Sequence, residues 1–194
     1  VTAIAIHGFL DGRDSPATLG AEVVRTLLQD MRRIAGARVE VASLTGRYYG
    51  MDRDRRWDRT KLAYDAIAHG AATPGEPPVW PSRAAYQRGE TDEFIRPLVH
   101  HRNGQPVAVM QDGDAALFFN YRSDRMRQIV GALALDGFEE FDLGARPRLR
   151  AVTMTQYDQT FPIPQAFPPF SLARILAEVL AEQGRTQFRT AETE

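Results

Sequence analysis

Apolar and polar positions fall in blocks along this chain, and the blocks read three times over as strand, polar loop and helix. Residues 2–6 are a short apolar run suited to a strand. Past Gly8 and the turn-forming Asp11-Gly12-Arg13-Asp14, Ser15 reads as an N-cap with Pro16 at the first helical position. Val23, Val24, Leu27, Leu28, Met31 and Ile34 then recur at helical spacing until Gly36. The second unit is a strand at 39–44, a long polar loop at 46–57, and a helix from about Asp58 that carries Leu62, Ala66 and Ile67 and ends at Gly70.

Pro74, Gly75, Pro77, Pro78 and Pro81 make 71–81 an irregular connection, with a short helix predicted at 82–88. Residues 107–110 and 115–119 flank Asp112-Gly113 and predict a hairpin. The third unit follows: the loop 120–125 leads into a helix with Met126, Ile129, Val130 and Leu133 on one face. A strand at 149–154, a proline-rich surface run at 161–170, and a helix bearing Leu172, Ile175, Leu176, Val179 and Leu180 complete the pattern, with Gly184 as its cap and 186–189 as one more strand. The pattern predicts an α/β fold, a mostly parallel mixed sheet flanked by helices, in a single domain spanning 1–194. A core strand at the very start and the tailless close at 191–194 predict a chain truncated at both ends.

Composition narrows the function. The 194 residues, 43% apolar, suffice for one sizeable core. Without cysteine there are no disulfides, thiolate metal sites or cysteine nucleophiles, and without a long apolar run or signal peptide the expectation is a soluble cytoplasmic protein with no membrane partner. A net charge of −1 argues against nucleic acid as partner, because phosphate neutralisation needs a basic field. Lys61 is the only lysine, so the basic residues are otherwise all arginine. A GC-rich genome explains that bias but not where the arginines fall.

They fall in the loops. In an open α/β sheet, ligands bind outside the carboxyl ends of the strands. Arg13 beside Asp14, Arg47 and Arg53, and Arg122 with Arg125 all lie in loops expected at one such edge. Guanidinium forks suit carboxylate and phosphate, so the grouping predicts a small, multiply anionic ligand. Asp14 among them suits a ligand that also bears a hydroxyl, although it could instead cap the following helix or pair with Arg13. Arg55, Arg56 and Arg59 read as the solvated start of a helix, with Asp52 and Arg56 at the spacing of a surface pair. Tyr48, Tyr49 and Trp57 read as packing. His7, His69, His100 and His101 form no metal set, and no nucleophile motif or Gly-rich phosphate loop is present.

Three long motifs occur in order: residues 9–16 (FLDGRDSP), 46–57 (GRYYGMDRDRRW), and Asp112-Gly113-Asp114 followed by 118–125 (FFNYRSDR). With Val152-Thr153-Met154-Thr155, Phe167-Pro168-Pro169 and the closing 191–194, they resemble the 2,3-bisphosphoglycerate-independent phosphoglycerate mutases. Ser15, Gly50 and Ser123 stand where that family usually has threonine, alanine and proline. The resemblance implies that this chain is most of the inserted phosphotransferase domain of a longer glycolytic isomerase, and that Arg13, Asp14, Arg47, Arg53, Arg122 and Arg125 bind substrate. It further implies interconversion of 3-phosphoglycerate and 2-phosphoglycerate by phosphoryl transfer to a serine on a metal-binding, phosphatase-like partner domain. That serine, the ligands for two manganese ions, a substrate-binding histidine that His7 does not match, and a lysine just past Glu194 are absent. The segment itself is therefore expected to hold no catalytic residue and no cofactor, and to be inactive alone. Apart from the resemblance, a non-catalytic binding module for phosphorylated hydroxy acids fits the same residues.

Overall fold

A computed structural model describes residues 3–31, 33, 39–71, 83–170 and 172–190. The elements run β1 (Ile4–Leu10), α1 (Gly20–Met31), β2 (Val39–Gly46), α2 (Arg47–Gly50), α3 (Trp57–Ala68), α4 (Arg83–Gln87), β3 (Leu98–Val99), β4 (His101–Arg102), β5 (Gln105–Pro106), β6 (Ala115–Phe118), α5 (Arg127–Ala134), β7 (Arg150–Thr153) and α6 (Leu176–Glu182). The fold is mixed α/β, as the block pattern predicts. Among the described residues, however, the strands form three small sheets: β1-β2-β3, the β4-β5 hairpin, and β6-β7.

β1 and β2 are parallel, paired from Ile4 opposite Val39 to Leu10 opposite Gly46, with a one-residue shift on β2 at Ala42, between Ile6 opposite Val41 and His7 opposite Ser43. The predicted strand ends at Ile6, yet pairing continues through Gly8 because its parallel neighbour comes close. A Cβ on Gly8 would lie 2.7 Å from Leu44 Cδ2. β3 then pairs antiparallel to β2.

α1 starts later than a Ser15 cap predicts. Ser15 Oγ is used within the loop, accepting from the Gly12 N–H at 3.1 Å. The helix N-terminus is satisfied from elsewhere in the chain: Asp92 Oδ2 accepts from the Gly20 N–H at 2.7 Å, and the Tyr86 hydroxyl donates to Asp92 Oδ1 at 2.7 Å. A carboxylate at a helix start answers both the orphan N–H groups and the dipole. Val24 and Met31 are buried, whereas Val23 and Leu27 are exposed, so the packed stripe is narrower than the apolar one. Ile34, Gly36, nearly all of the 71–81 connection and the closing 191–194 lie outside the described residues.

The Asp112-Gly113 hairpin does not form. The dipeptide does turn the chain, with Gly113 at φ +87°, but the turn is bonded to the segment entering β7: Gly113 N donates to Arg148 O at 2.9 Å, and Arg148 N to Asp112 Oδ1 at 2.8 Å. β6 therefore pairs with β7, in parallel. The real hairpin is β4-β5 around Asn103-Gly104, both at positive φ (53° and 77°), as tight hairpin turns require.

Two hydrophobic clusters carry the fold. One packs Leu10, Val41 and Leu44 of the sheet against Val24, Met31, Ile95 and Leu98. The other joins α3 to α5 through Ala63, Tyr64, Ile67, Met126, Ile129, Val130 and Leu133, with Tyr157 and Ile163. All four residues expected on the α5 face are buried, while Leu62 of α3 points outward, 37% exposed. The proline-rich run is less superficial than predicted, since Thr153 N donates to Pro164 O and Ala166 N to Thr153 O. α6 is shorter than its apolar stripe because Arg174 takes φ +58° ahead of it, and none of its residues is buried. Residues 186–189 form no strand. No helix among the described residues is long and apolar enough to cross a membrane.

His7 sits on β1 with its Nδ1 2.8 Å from the buried Ser43 Oγ, and burial pushes its pKa down to about 4 from 6.5. The native state thus resists a proton that the unfolded chain accepts. Stability is full above the unfolded value and falls as pH drops from 6.5 towards 4, by about 3 kcal/mol. Urea midpoints across this range should fall for the wild type and stay flatter for His7→Gln. Identical slopes would contradict the assignment.

Candidate functional site

The site begins where β1 and β2 end. Their parallel register sets Leu10 opposite Gly46, so the loops that follow leave at the same edge. Gly46 N donates to Ile95 O at 2.8 Å, and a Cβ there would lie 2.5 Å from Glu93 O. Only glycine lets the Asp92–Phe94 turn pack this closely beneath the strand end.

Arg47 follows on the single turn of α2, only 4% exposed. Its Nη1 donates to Asp11 Oδ1 and, at 2.8 Å, to Asp14 Oδ2. Burial pushes the Arg47 pKa down, but the hydrogen bonds it donates to Asp14 and Asp11 outweigh that and leave the guanidinium more firmly protonated. Asp14 is held below its ordinary value, first by the hydrogen bond and charge of Arg47, then by the charges of Arg13 and Arg122. It therefore stays ionised. Asp14 neither caps α1 nor forms its ion pair with Arg13, whose partner is Glu93 at 4.0 Å.

The third loop reaches the others from a different sheet. Where β6 ends, the buried Tyr157 hydroxyl donates to Phe118 O at 2.9 Å and to Asn120 O, and its pKa, raised to about 12 by burial, keeps it a donor. Thr155 Oγ1 donates to Tyr121 O at 2.8 Å. Beyond this anchored backbone, Arg122 grips Asp124 through Nε and Nη2 at 2.8 and 3.1 Å, while Arg53 Nη1 reaches the same carboxylate at 2.6 Å. Arg125 Nη1 donates to Met51 O at 3.0 Å. The pKa of Arg125 is lowered by burial and then by the charges of Arg47, Arg53 and Arg122, with Asp124 opposing.

All six predicted residues thus converge, although the three loops do not share one sheet edge. Five guanidiniums are balanced by Asp11, Asp14, Asp124 and Glu93, and the Nε–H groups of Arg47 and Arg125 are buried with no hydrogen-bond partner among the described residues. Buried donors of this kind are costly to leave unmade.

The expected Asp52–Arg56 pair forms, Arg56 Nη1 donating to Asp52 Oδ1 at 3.3 Å, but Asp52 is its buried half: it is 5% exposed, and its Oδ2 accepts from the backbone N–H groups of Asp54 and Arg56 and from Gln128. Burial pushes its pKa up, but the hydrogen bonds from Gln128, Arg56 and Asp54 prevail and hold it low. Arg55 and Arg56 are exposed, as predicted, and Arg59 lies 3.7 Å over the Tyr48 ring. Trp57 packs edge-on against Phe138, so the aromatics of this stretch do serve as packing. Sequence reasoning missed Asp11, Asp52, Asp124, Gln128 and Tyr157 as supports. One signal was available: α5 is apolar nearly all round, so a glutamine in its first turn has to find partners indoors. No group of three or more His, Asp or Glu among the described residues could hold a metal ion.

The chain is similar to known proteins over most of its length. Residues 1–159 match the family described as BPG-independent PGAM N-terminus. The chain is 45% identical to a 2,3-bisphosphoglycerate-independent phosphoglycerate mutase 1 of Methanosarcina barkeri and 44% identical to the corresponding mutase of Myxococcus xanthus, in each case over 100% of this chain and 38% of the relative. It therefore spans well under half the length of these relatives. A crystal structure of Leishmania mexicana phosphoglycerate mutase at low cobalt concentration superposes with a TM-score of 0.77 at 27% identity, covering 94% of this chain and 35% of that one.

Because Arg47 is buried against Asp11, Asp11→Asn should destabilise the fold by about 1–3 kcal/mol, read from urea midpoints, by leaving a buried guanidinium undercompensated. A cost below about 0.5 kcal/mol would mean that Asp14 alone suffices.

Proposed function

This chain belongs to the 2,3-bisphosphoglycerate-independent phosphoglycerate mutase family, and from that membership we propose that its arginine cluster binds phosphoglycerate as part of a mutase interconverting the 3-phospho and 2-phospho acids. The observation that carries the proposal is the gathering of the solvent-accessible guanidiniums of Arg13, Arg53 and Arg122 around the ionised Asp14 and the buried Arg47. Five guanidiniums offer forked donors for a carboxylate and a phosphate at once. Each charged hydrogen bond is worth about 1.5–3 kcal/mol, so a few of them hold a small metabolite without apolar contact.

Asp14 would supply what the arginines cannot. Its carboxylate is ionised, 69% exposed, and has an oxygen besides the one bound to Arg47. That oxygen can accept a hydrogen bond from the free hydroxyl of a glycerate. A mutase must present first one hydroxyl and then the other to the same transfer group. Donors from three loops allow the glycerate to turn while staying anchored, which is orientation rather than bond-breaking.

Residues 1–194 would then be the substrate-holding portion of a longer enzyme. The phosphoryl transfer itself, to a serine and with two manganese ions, would belong to a metal-binding portion of that enzyme. The residues described here do not fit a metal, and no step through one is assigned to them.

Titration with 3-phosphoglycerate tests the proposal. Arg53→Ala or Arg122→Ala should each weaken binding about 10- to 150-fold, whereas Arg102→Ala, whose partner is Glu40 on β2, should leave it unchanged. Equal losses from all three would point to a diffuse electrostatic effect and against a built site.

A further inference from the structure

We propose that Gln128 is a positioning residue that fixes the Arg53 loop against the Arg122–Arg125 loop, so that one buried amide sets the spacing of guanidiniums from two separate segments. The inference rests on the phosphoglycerate reading of the arginine cluster and adds a residue that touches no ligand.

Gln128 lies in the first turn of α5, just beyond Arg125, and is 8% exposed. Its Nε2 donates to Asp52 Oδ2 at 2.9 Å and to Thr60 Oγ1 at 3.0 Å, while its Oε1 accepts from the Arg55 N–H at 2.6 Å. One amide therefore bonds the loop before α3, its backbone and the first turns of that helix. Asp52 completes the lock by accepting from Asp54 N and Arg56 N, each at 3.0 Å.

Arg55 shows what the lock holds. Its φ is +58°, in the left-handed region that disfavours a side chain. The Gln128 acceptor on its N–H is a tertiary contact that keeps the backbone there. Arg53 lies inside the constrained stretch. It reaches forward to Asp124, while Arg125 reaches back to Met51 O. Those two contacts are made by long side chains at the solvent border, which can re-form in other geometries. The amide network beneath them is buried and has little such freedom.

The chemistry at this position calls for glutamine. The side chain must donate to a carboxylate and accept from a backbone N–H at the same time, which lysine and an ionised glutamate cannot do. Gln128→Met keeps the length and loses all three bonds. Gln128→Glu keeps the acceptor for Arg55 and sets a second carboxylate against Asp52, so that it can donate only when protonated, and its pKa is raised by that neighbour.

The experiment is an NMR titration of 3-phosphoglycerate, sensitive to millimolar affinity, into the wild type and both variants, together with amide hydrogen exchange at Arg55. Gln128→Met should weaken binding by about tenfold or more and release the Arg55 amide to exchange. Gln128→Glu should bind poorly near about pH 8 and recover towards about pH 5.5, a recovery the wild type does not show. The proposal is overturned if Gln128→Met binds within about twofold of wild type with its Arg55 amide released, or if Gln128→Glu follows the wild-type pH course. Should Gln128→Met fail to fold, the pH course of Gln128→Glu decides. Loss of binding in Arg53→Ala and Arg122→Ala but not in Gln128→Met leaves the site standing and removes only the positioning role. No effect from any of the four variants removes both.

Discussion

A guanidinium cannot be buried without compensation, and the placement of Arg47 at the end of β2 makes that constraint the centre of this molecule. Taking a cation from water costs several kcal/mol, recovered only by good geometry with opposite charge. Arg47 finds it in Asp11 and Asp14, on the loop that leaves the neighbouring strand β1. The parallel register of β1 and β2 is what delivers those carboxylates to it. Sheet pairing and charge compensation thus enforce each other. A slip in the register would turn side chains to the other face of the sheet and strand a charge indoors.

From that centre the rest of the site is built outward by ion pairs of decreasing burial. Asp124 joins Arg53 to Arg122 at the surface, where such pairs are individually weak and serve orientation more than stability. Stability lies deeper, in the α3–α5 cluster and in the polar network of Asp52, Gln128 and Thr60 that passes between those helices. The Tyr157 hydroxyl performs the same task for the third loop by holding two of its carbonyls. The arginines can remain poised and partly unpaired because the backbone that carries them is fixed from below. Preorganised donors of this kind avoid the ordering cost that a mobile loop would meet on binding.

Much of this was legible in the order of residues. The three strand-loop-helix units, the buried face of α5 and the grouping of arginines in loops all follow from periodicity and from where charge sits. What was not legible depended on partners distant in sequence. Ser15-Pro16 looks like a helix start, yet Asp92 takes the Gly20 N–H and the helix begins there. Asp112-Gly113 looks like a hairpin, but its turn bonds to Arg148, so the strand after it pairs in parallel. The Asn103-Gly104 dipeptide carries a hairpin signal of the same kind, and there the hairpin does form. Asp52 and Arg56 have the spacing of a surface pair, and nothing local reveals that Gln128 draws Asp52 indoors. The apolar stripe of α6 was readable too, but none of its residues is buried.

The central claim is that the solvent-accessible guanidiniums of Arg53 and Arg122 hold the anion. Nitrogen-15 spectra of the arginine side chains, recorded while 3-phosphoglycerate is added, read those two groups directly. Both resonances should shift together and saturate with the binding curve, and their protons should exchange more slowly with water. If ligand binds while both resonances stay where they were, the arginine cluster does not hold the anion and the account fails.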